Sequence, residues 1–163
     1  MITRKLNRTV SCGGCASKMS PYDLFQVLDK FEIPKSKDLK VGLNTGDDAC
    51  IYQLDDENSL VFTVDYISPI FESPKLLGKI GAIIALSDIY AMGGEPILAL
   101  NIVCFNPDFD NDVLEEIIKG GQQICNEAGA IICGGHTVNG PEIRYGLSVI
   151  GKVKNNQILK NYG

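Results

Sequence analysis

The sequence has a single histidine, no run of basic residues, no second close pair of cysteines and no Walker-type loop. Each shortage narrows the function. His136 stands alone, and an isolated imidazole is more often a satisfied polar residue than a catalyst. A net charge of −5 without a basic run argues against broad nucleic-acid binding. It leaves room for a phosphorylated ligand that brings its own metal. Of the six cysteines, at 12, 15, 50, 104, 125 and 133, only Cys12 and Cys15 are close. A zinc ribbon needs two such pairs, so a structural zinc site is not expected. Long apolar runs are also missing. The longest, Ile80 to Met92, contains Ser87 and Asp88 and falls short of the roughly 20 residues that span a bilayer. Met1 to Lys5 is charged but no apolar core follows, which argues against a secretory leader. A cytoplasmic protein with no membrane partner is the expectation.

What is present fits one folded domain: 163 residues, 45% apolar and 21% charged, enough for a sizeable core. Residues 1–20 are rich in Gly, Ser and Lys around the cysteine pair and read as a flexible arm. Ser20-Pro21 has the cap-and-proline signature of a helix start. Leu24, Phe25, Val27, Leu28 and Phe31 follow at helical spacing, and the helix should end before Pro34. Residues 34–44 read as a linker. Ser73-Pro74 repeats the start signature for a long helix to about Ala91, closed by Gly93-Gly94. Pro96 to Phe105 reads as an apolar strand and Asp110 to Ala128 as a helix. Ala130 to Cys133 reads as a short buried strand broken by Gly134-Gly135-His136-Thr137, and Ile143 to Val153 as a half-exposed strand. Cys50, Cys104 and Cys133 lie in apolar runs and read as small core residues. Helices and strands intermix without a regular βαβ repeat, which predicts an α+β fold with a mixed sheet.

The chemistry concentrates in aspartates. Asn44-Thr45-Gly46-Asp47-Asp48 is a polar Gly turn leading into the strand-like run Ala49-Cys50-Ile51-Tyr52. After the turn-like Asp55-Asp56-Glu57-Asn58, Leu60 to Asp65 reads as the second strand of a hairpin. Pairing Leu54 with Ser59 puts Asp48 opposite Asp65. Like charges facing each other on a ladder are unfavourable, so a compensating cation is expected, and carboxylate oxygens suit Mg²⁺ or Mn²⁺. Asp88 lies on the stripe of Ile80, Ile83, Ile84 and Ala91. A carboxylate there needs a partner, and it becomes the fourth member of the cluster. Gly134 to Thr137 could offer backbone N–H groups to phosphate, or be a plain turn. Cys15, three residues before Lys18, could be an activated thiol, or an indifferent exposed one.

Ser11-Cys12-Gly13-Gly14-Cys15-Ala16-Ser17-Lys18-Met19-Ser20-Pro21 resembles the N-terminal arm of selenophosphate synthetases, the selenide, water dikinases. The resemblance continues through Thr45 to Ala49, Thr63-Val64-Asp65-Tyr66, Ala85 to Pro96 and Gly134 to Thr137, in the family's order. Aminoimidazole ribonucleotide synthetase, thiamine-monophosphate kinase and a hydrogenase-maturation dehydratase share the aspartates; the Cys-x-x-Lys arm singles out the selenium enzyme. The resemblance implies synthesis of selenophosphate, AMP and phosphate from selenide, ATP and water. It implies a catalytic cysteine or selenocysteine at Cys15 and an essential Lys18 beside the phosphates. It further implies Mg²⁺ at Asp48, Asp65 and Asp88, and nucleotide contacts from Lys18, Thr45, Gly46, Asp47, Asp65 and Asp88. Gly135, His136 and Thr137 would reach ATP held by the partner subunit of a homodimer. The implied fold is the N-terminal domain of the aminoimidazole ribonucleotide synthetase type. Its mixed sheet carries helices on one side, and its strands pair into a barrel across the dimer.

Two departures accompany the resemblance. Ser17 occupies a position where some members carry a second cysteine. Family members also continue into a second domain that adds a metal aspartate. The expected division is a catalytic arm over 1–20, an ATP-binding domain over 21–157 and the start of a linker over 158–163, with little turnover from this portion alone. Two other readings stay open: another ATP-dependent member of the superfamily, such as a small-molecule kinase, and a non-catalytic dimerisation or regulatory module.

Overall fold

The computed structural model describes residues 6–8, 18–32, 35–43 and 45–161. Cys12, Cys15 and most of the glycine-rich arm lie outside the described residues, as does Asn44. After a short 3-10 turn, Leu6–Arg8, come α1 (Pro21–Leu28), β1 (Leu39–Val41), β2 (Cys50–Gln53) and β3 (Asn58–Ile67). Then follow α2 (Pro74–Ala91), β4 (Glu95–Phe105), α3 (Asn111–Glu127), β5 (Ile131–Asn139) and β6 (Arg144–Lys154). The strands form one six-stranded sheet in the order β1-β2-β3-β6-β4-β5. Every pairing is antiparallel except β4 with β5. That parallel pair is joined by α3, as a parallel connection requires.

The expected α+β mixed sheet is present, but four details differ from the sequence reading. The linker contains β1. The Ile143–Val153 strand is central: β6 pairs with β3 on one side and β4 on the other. β5 runs straight through Gly134-Gly135-His136-Thr137 as an exposed edge strand, with a bulge opposite Ala99–Leu100. The first helix, read through Phe31, ends at Leu28, and it has no buried residue.

Both long helices lie on one face of the sheet, α2 on β3 and β6 and α3 beside it. Ser73 starts α2 as expected, its Oγ accepting from Leu76 N at 3.3 Å. The buried side of α2 is Leu77, Gly78, Gly81, Ala82, Ala85, Leu86 and Ile89, not the stripe through Ile83, which is 49% exposed. Small residues carry this face because α2 approaches α3 closely. The core continues through Val61, Ile67, Ile117, Tyr145, Leu147 and Val149. The two long helices leave the other face of the sheet open, and Phe62, Val64, Tyr66 and Leu100 are exposed there.

The cysteines divide by burial. Cys125 is fully buried, and burial pushes its thiol up to about 11. Cys133, expected in the core, is exposed because its strand is an edge. A thiol reagent at about pH 8 is expected to label Cys133 in the native protein and to reach Cys125 only after unfolding. Peptide mapping by mass spectrometry checks the order.

Candidate functional site

The inner face of β3 sets out the site. Side chains two apart on a strand share a face, so Thr63 and Asp65 both point toward α2, and both are buried. Asp65 Oδ1 accepts from Tyr66 N at 2.8 Å, and Oδ2 accepts from Lys18 Nζ at 2.6 Å. Across from them on α2, Asp88 accepts through Oδ2 from Thr63 Oγ1 at 2.7 Å. Burial holds the Asp88 carboxyl above its usual range. The Thr63 hydroxyl opposes this, Asp65 adds to it, Lys18 opposes it, and Asp48 adds a smaller share. Contacts join Lys18 to Asp65 and Thr63 to Asp88. Thr63 is the contact that sequence reasoning missed; its place two residues before Asp65 was the available signal.

The pairing of Asp48 with Asp65 does not occur. Gln53, not Leu54, faces Ser59, so the register is one residue shorter than expected. Leu54 N and Asp55 N both bond Asn58 O, and Asp55 Oδ1 accepts from Glu57 N and Asn58 N at 2.8 Å each. This Asx-type turn sets the register. Asp48 precedes β2, and the ladder partner of Asp65 is Leu147.

The turn itself is held by Thr45, whose N and Oγ1 both donate to Gly42 O, at 3.2 and 2.9 Å. Asp47 is oriented inward: Oδ1 accepts from Asn161 N at 2.6 Å, while Oδ2 is buried with no hydrogen-bond partner among the described residues. An open cleft of about 430 Å³ lies between α1 and this part of the sheet. Leu24, Phe25 and Leu28 line one side; Gly46, Asp47, Asp48, Phe62, Thr63 and Val64 line the other. A smaller recess of about 250 Å³ adjoins it at Val64, bounded by Lys18, Met19, Asp65 and Tyr66. Together they offer an apolar wall, a cation and a set of carboxylates, as a phosphorylated ligand with an apolar ring system would need.

The residues fit a hard divalent cation in two respects. The orphaned Asp47 Oδ2 lacks a partner among the described residues, and Asp88 sits among carboxylates that oppose its ionisation. Among the described residues no three Asp, Glu, His or Cys side chains converge closely enough to ligate an ion together. The expected set Asp48, Asp65 and Asp88 is a neighbourhood here, not a coordination sphere, and Lys18 supplies the positive charge. Gly135, His136 and Thr137 are not in this neighbourhood. Asp65 faces Leu147, which faces Asn101, which faces Gly135. Three strand spacings separate the ends of that row, roughly 14 Å.

Residues 46–153 match the family described as AIR synthase related protein, N-terminal domain. The chain belongs to that family. Within it, the chain is 47% identical over 157 residues to a selenide, water dikinase of Caldanaerobacter subterraneus subsp. tengcongensis, covering 96% of this chain. It is 46% identical over 161 residues to a selenide, water dikinase of Clostridioides difficile, covering 97% of this chain. The chain spans 45% and 46% of the length of those two relatives. Two solved structures share the fold at low identity. Thiamine-monophosphate kinase from Stenotrophomonas maltophilia has a TM-score of 0.58 at 22% identity, over 88% of this chain and 44% of that one. T. maritima PurL complexed with ATP has a TM-score of 0.65 at 16% identity, over 83% of this chain and 24% of that one.

Proposed function

We propose that this chain is the nucleotide-binding portion of a selenide, water dikinase, which makes selenophosphate, AMP and phosphate from selenide, ATP and water. The observation that carries the reading is the Lys18–Asp65 ion pair beside Thr63 and Asp88. It joins the arm to the carboxylates in a chain similar to such enzymes over nearly its whole length. In this reading Lys18 leaves Asp65 for the phosphate oxygens. Thr45, Gly46 and Asp47 bind the nucleotide, and the apolar wall of Leu24 and Phe25 covers its ring system. Asp48, Asp65 and Asp88 hold Mg²⁺. These carboxylates would hold an ion that supplies charge neutralisation to the phosphates, which is most of what phosphoryl transfer asks of a protein. Cys15 handles selenide, and Lys18 close to it in sequence favours the thiolate.

The working state is a cytoplasmic homodimer in which the strands of two copies form a shared barrel. The exposed apolar residues of one sheet face, Phe62, Tyr66, Leu98 and Leu100, support it, since an apolar surface of this kind marks an interaction site. Gly135, His136 and Thr137, remote from Asp65 of their own chain, then serve the nucleotide of the partner subunit. Residues 158–163 lead toward a second domain that completes the enzyme.

The test is selenide-dependent AMP formation by the full-length protein. Cys15→Ala should abolish selenophosphate formation while leaving Mg²⁺-nucleotide affinity unchanged, and Asp48→Asn should lose that affinity. Activity that survives Cys15→Ala would favour a small-molecule kinase. Nucleotide affinity and phosphate release both unchanged in Asp48→Asn would favour a dimerisation module.

A further inference from the structure

Residues 155–161 form a strap that ties three parts of the domain together. Its first anchor is the tip of the β2–β3 hairpin. There Asn155 N donates to Glu57 O at 2.9 Å, Asn155 Nδ2 to Asp55 O at 2.9 Å, and Ser59 Oγ to Asn155 Oδ1 at 2.6 Å. Its middle lies on the end of α2, the helix that carries Asp88. Leu159 N donates to Met92 O at 3.2 Å, and Ile158 packs against the core. The chain passes so near Gly93 that a Cβ there would lie 2.5 Å from Gln157 O, at a backbone φ of +77°. The far end reaches the aspartate turn. Asn161 N donates to Asp47 Oδ1 at 2.6 Å, and Asn161 Nδ2 donates to Gly46 O at 3.1 Å.

Asn161 therefore grips two successive residues of the turn, Gly46 by its carbonyl and Asp47 by its carboxylate. Gly46 has a φ of +66°, a conformation with little intrinsic rigidity because glycine crosses it freely. Upstream, Thr45 fixes the turn through Gly42; downstream, Asp47 and Asp48 make no main-chain ladder bond before β2 begins. With Asp47 Oδ1 fixed by a backbone N–H, Oδ2 stays buried and unpartnered among the described residues. We infer that Asn161 is a positioning residue that presets the Asp47 carboxylate for a cation-bound nucleotide, and that the strap couples this turn to the helix bearing Asp88. The inference rests on the nucleotide reading above and adds a residue to it. Asn161 touches neither nucleotide nor metal; it acts through Asp47 and Gly46.

The experiment is calorimetric titration of full-length protein with a non-hydrolysable ATP analogue, at limiting and at saturating Mg²⁺, for Asn161→Ala, Asn161→Pro and Asp47→Asn. Asn161→Ala removes only the side-chain bond to Gly46. It should weaken binding about threefold to tenfold at limiting Mg²⁺, the value of one hydrogen bond. Asn161→Pro also removes the N–H held by the ionised Asp47. Its loss should be about tenfold to a hundredfold, because bonds to charged groups are worth more. In Asn161→Ala the deficit should shrink at saturating Mg²⁺, with the melting temperature of the nucleotide-free protein unchanged. An equal loss at both Mg²⁺ levels, together with a lower melting temperature, would reduce Asn161 to a structural brace and overturn the inference. Wild-type affinity in both Asn161 variants, with weakened binding in Asp47→Asn, would overturn it while leaving the nucleotide site intact. Unchanged affinity in Asp47→Asn as well would remove the nucleotide reading itself, and the strap's role with it.

Discussion

Asp88→Asn is expected to leave a protein slightly more stable than its parent and at least about a hundredfold weaker for Mg²⁺-nucleotide. Both effects come from one carboxylate. In the nucleotide-free protein Asp88 is half-buried, and its charge is opposed by burial and by Asp65 and Asp48, with the Thr63 hydroxyl and Lys18 compensating in part. An asparagine keeps an oxygen to accept from Thr63 and drops the charge. The gain is modest because the group is partly exposed and its field is screened by solvent. For a domain of this size it should amount to a rise of about 1–3 °C in melting temperature. The pH dependence follows from the direction of the shift. A carboxyl raised in the fold takes up its proton at higher pH when folded than when unfolded, so falling pH through that interval favours the native state. The advantage of Asp88→Asn should therefore be full near neutrality and should fade as the solution is acidified. The binding loss is larger, because removing even a group one shell away from a metal costs about tenfold to a hundredfold. Differential scanning calorimetry across pH and titration calorimetry with Mg²⁺-nucleotide measure the two halves. A variant both less stable and fully competent to bind would make Asp88 an ordinary core-edge carboxylate.

The two halves of that expectation were not equally legible in the sequence. That Asp88 lies near the other aspartates follows from patterns any reader of the chain can see. Its helix face does not, because the buried side of α2 mixes Leu77, Leu86 and Ile89 with Gly78, Gly81, Ala82 and Ala85, and a stripe drawn through Ile80, Ile83 and Ile84 misses the small residues. The hairpin was legible and its register was not. The Asx-type turn at Asp55 moves the pairing by one residue, and in a strand one residue is the difference between faces. Asp48 thereby lost its place opposite Asp65, and the cluster survives through tertiary packing of α2 on β3 instead. Burial of β5 and Cys133 was misread for another reason. Apolar content signals that a surface is to be covered, not which molecule covers it, and β5 is the edge of the sheet. Asn161 lay beyond the reach of the sequence, and Thr63 offered only its place two residues before Asp65. Their roles depend on a contact 25 residues away in one case and 114 in the other.

Gly78→Ala should cost this domain about 3 kcal/mol or more, in a position where helix propensity alone dictates a gain. Alanine exceeds glycine inside a helix by about 1 kcal/mol, and an exposed site would show that benefit. Gly78 is not such a site. A Cβ there would fall within the van der Waals radius of Ile117 O and 3.0 Å from Gly121 N. The contact is reciprocal, since a Cβ on Gly120 would strike Lys75 O and lie 3.1 Å from Lys79 N. The two helices thus touch backbone to backbone, and main chain cannot swing aside as the tip of a side chain can. Separating them would strip the buried Ile117 and the ring of Tyr145 of their packing. The Tyr145 hydroxyl, which donates to Asn101 Oδ1 at 2.8 Å, would be disturbed as well. Overpacking of well-filled interiors costs about 1–3 kcal/mol, and more where backbone must move. Against a total stability of about 5–15 kcal/mol, the loss should lower the melting temperature by about 6–12 °C. Thermal unfolding followed by circular dichroism reads it directly. A melting temperature above the parent's would mean that α2 and α3 do not meet through their glycines. The placement of Asp88 over Thr63, which depends on how deeply α2 sits against the sheet, would then have to be redrawn.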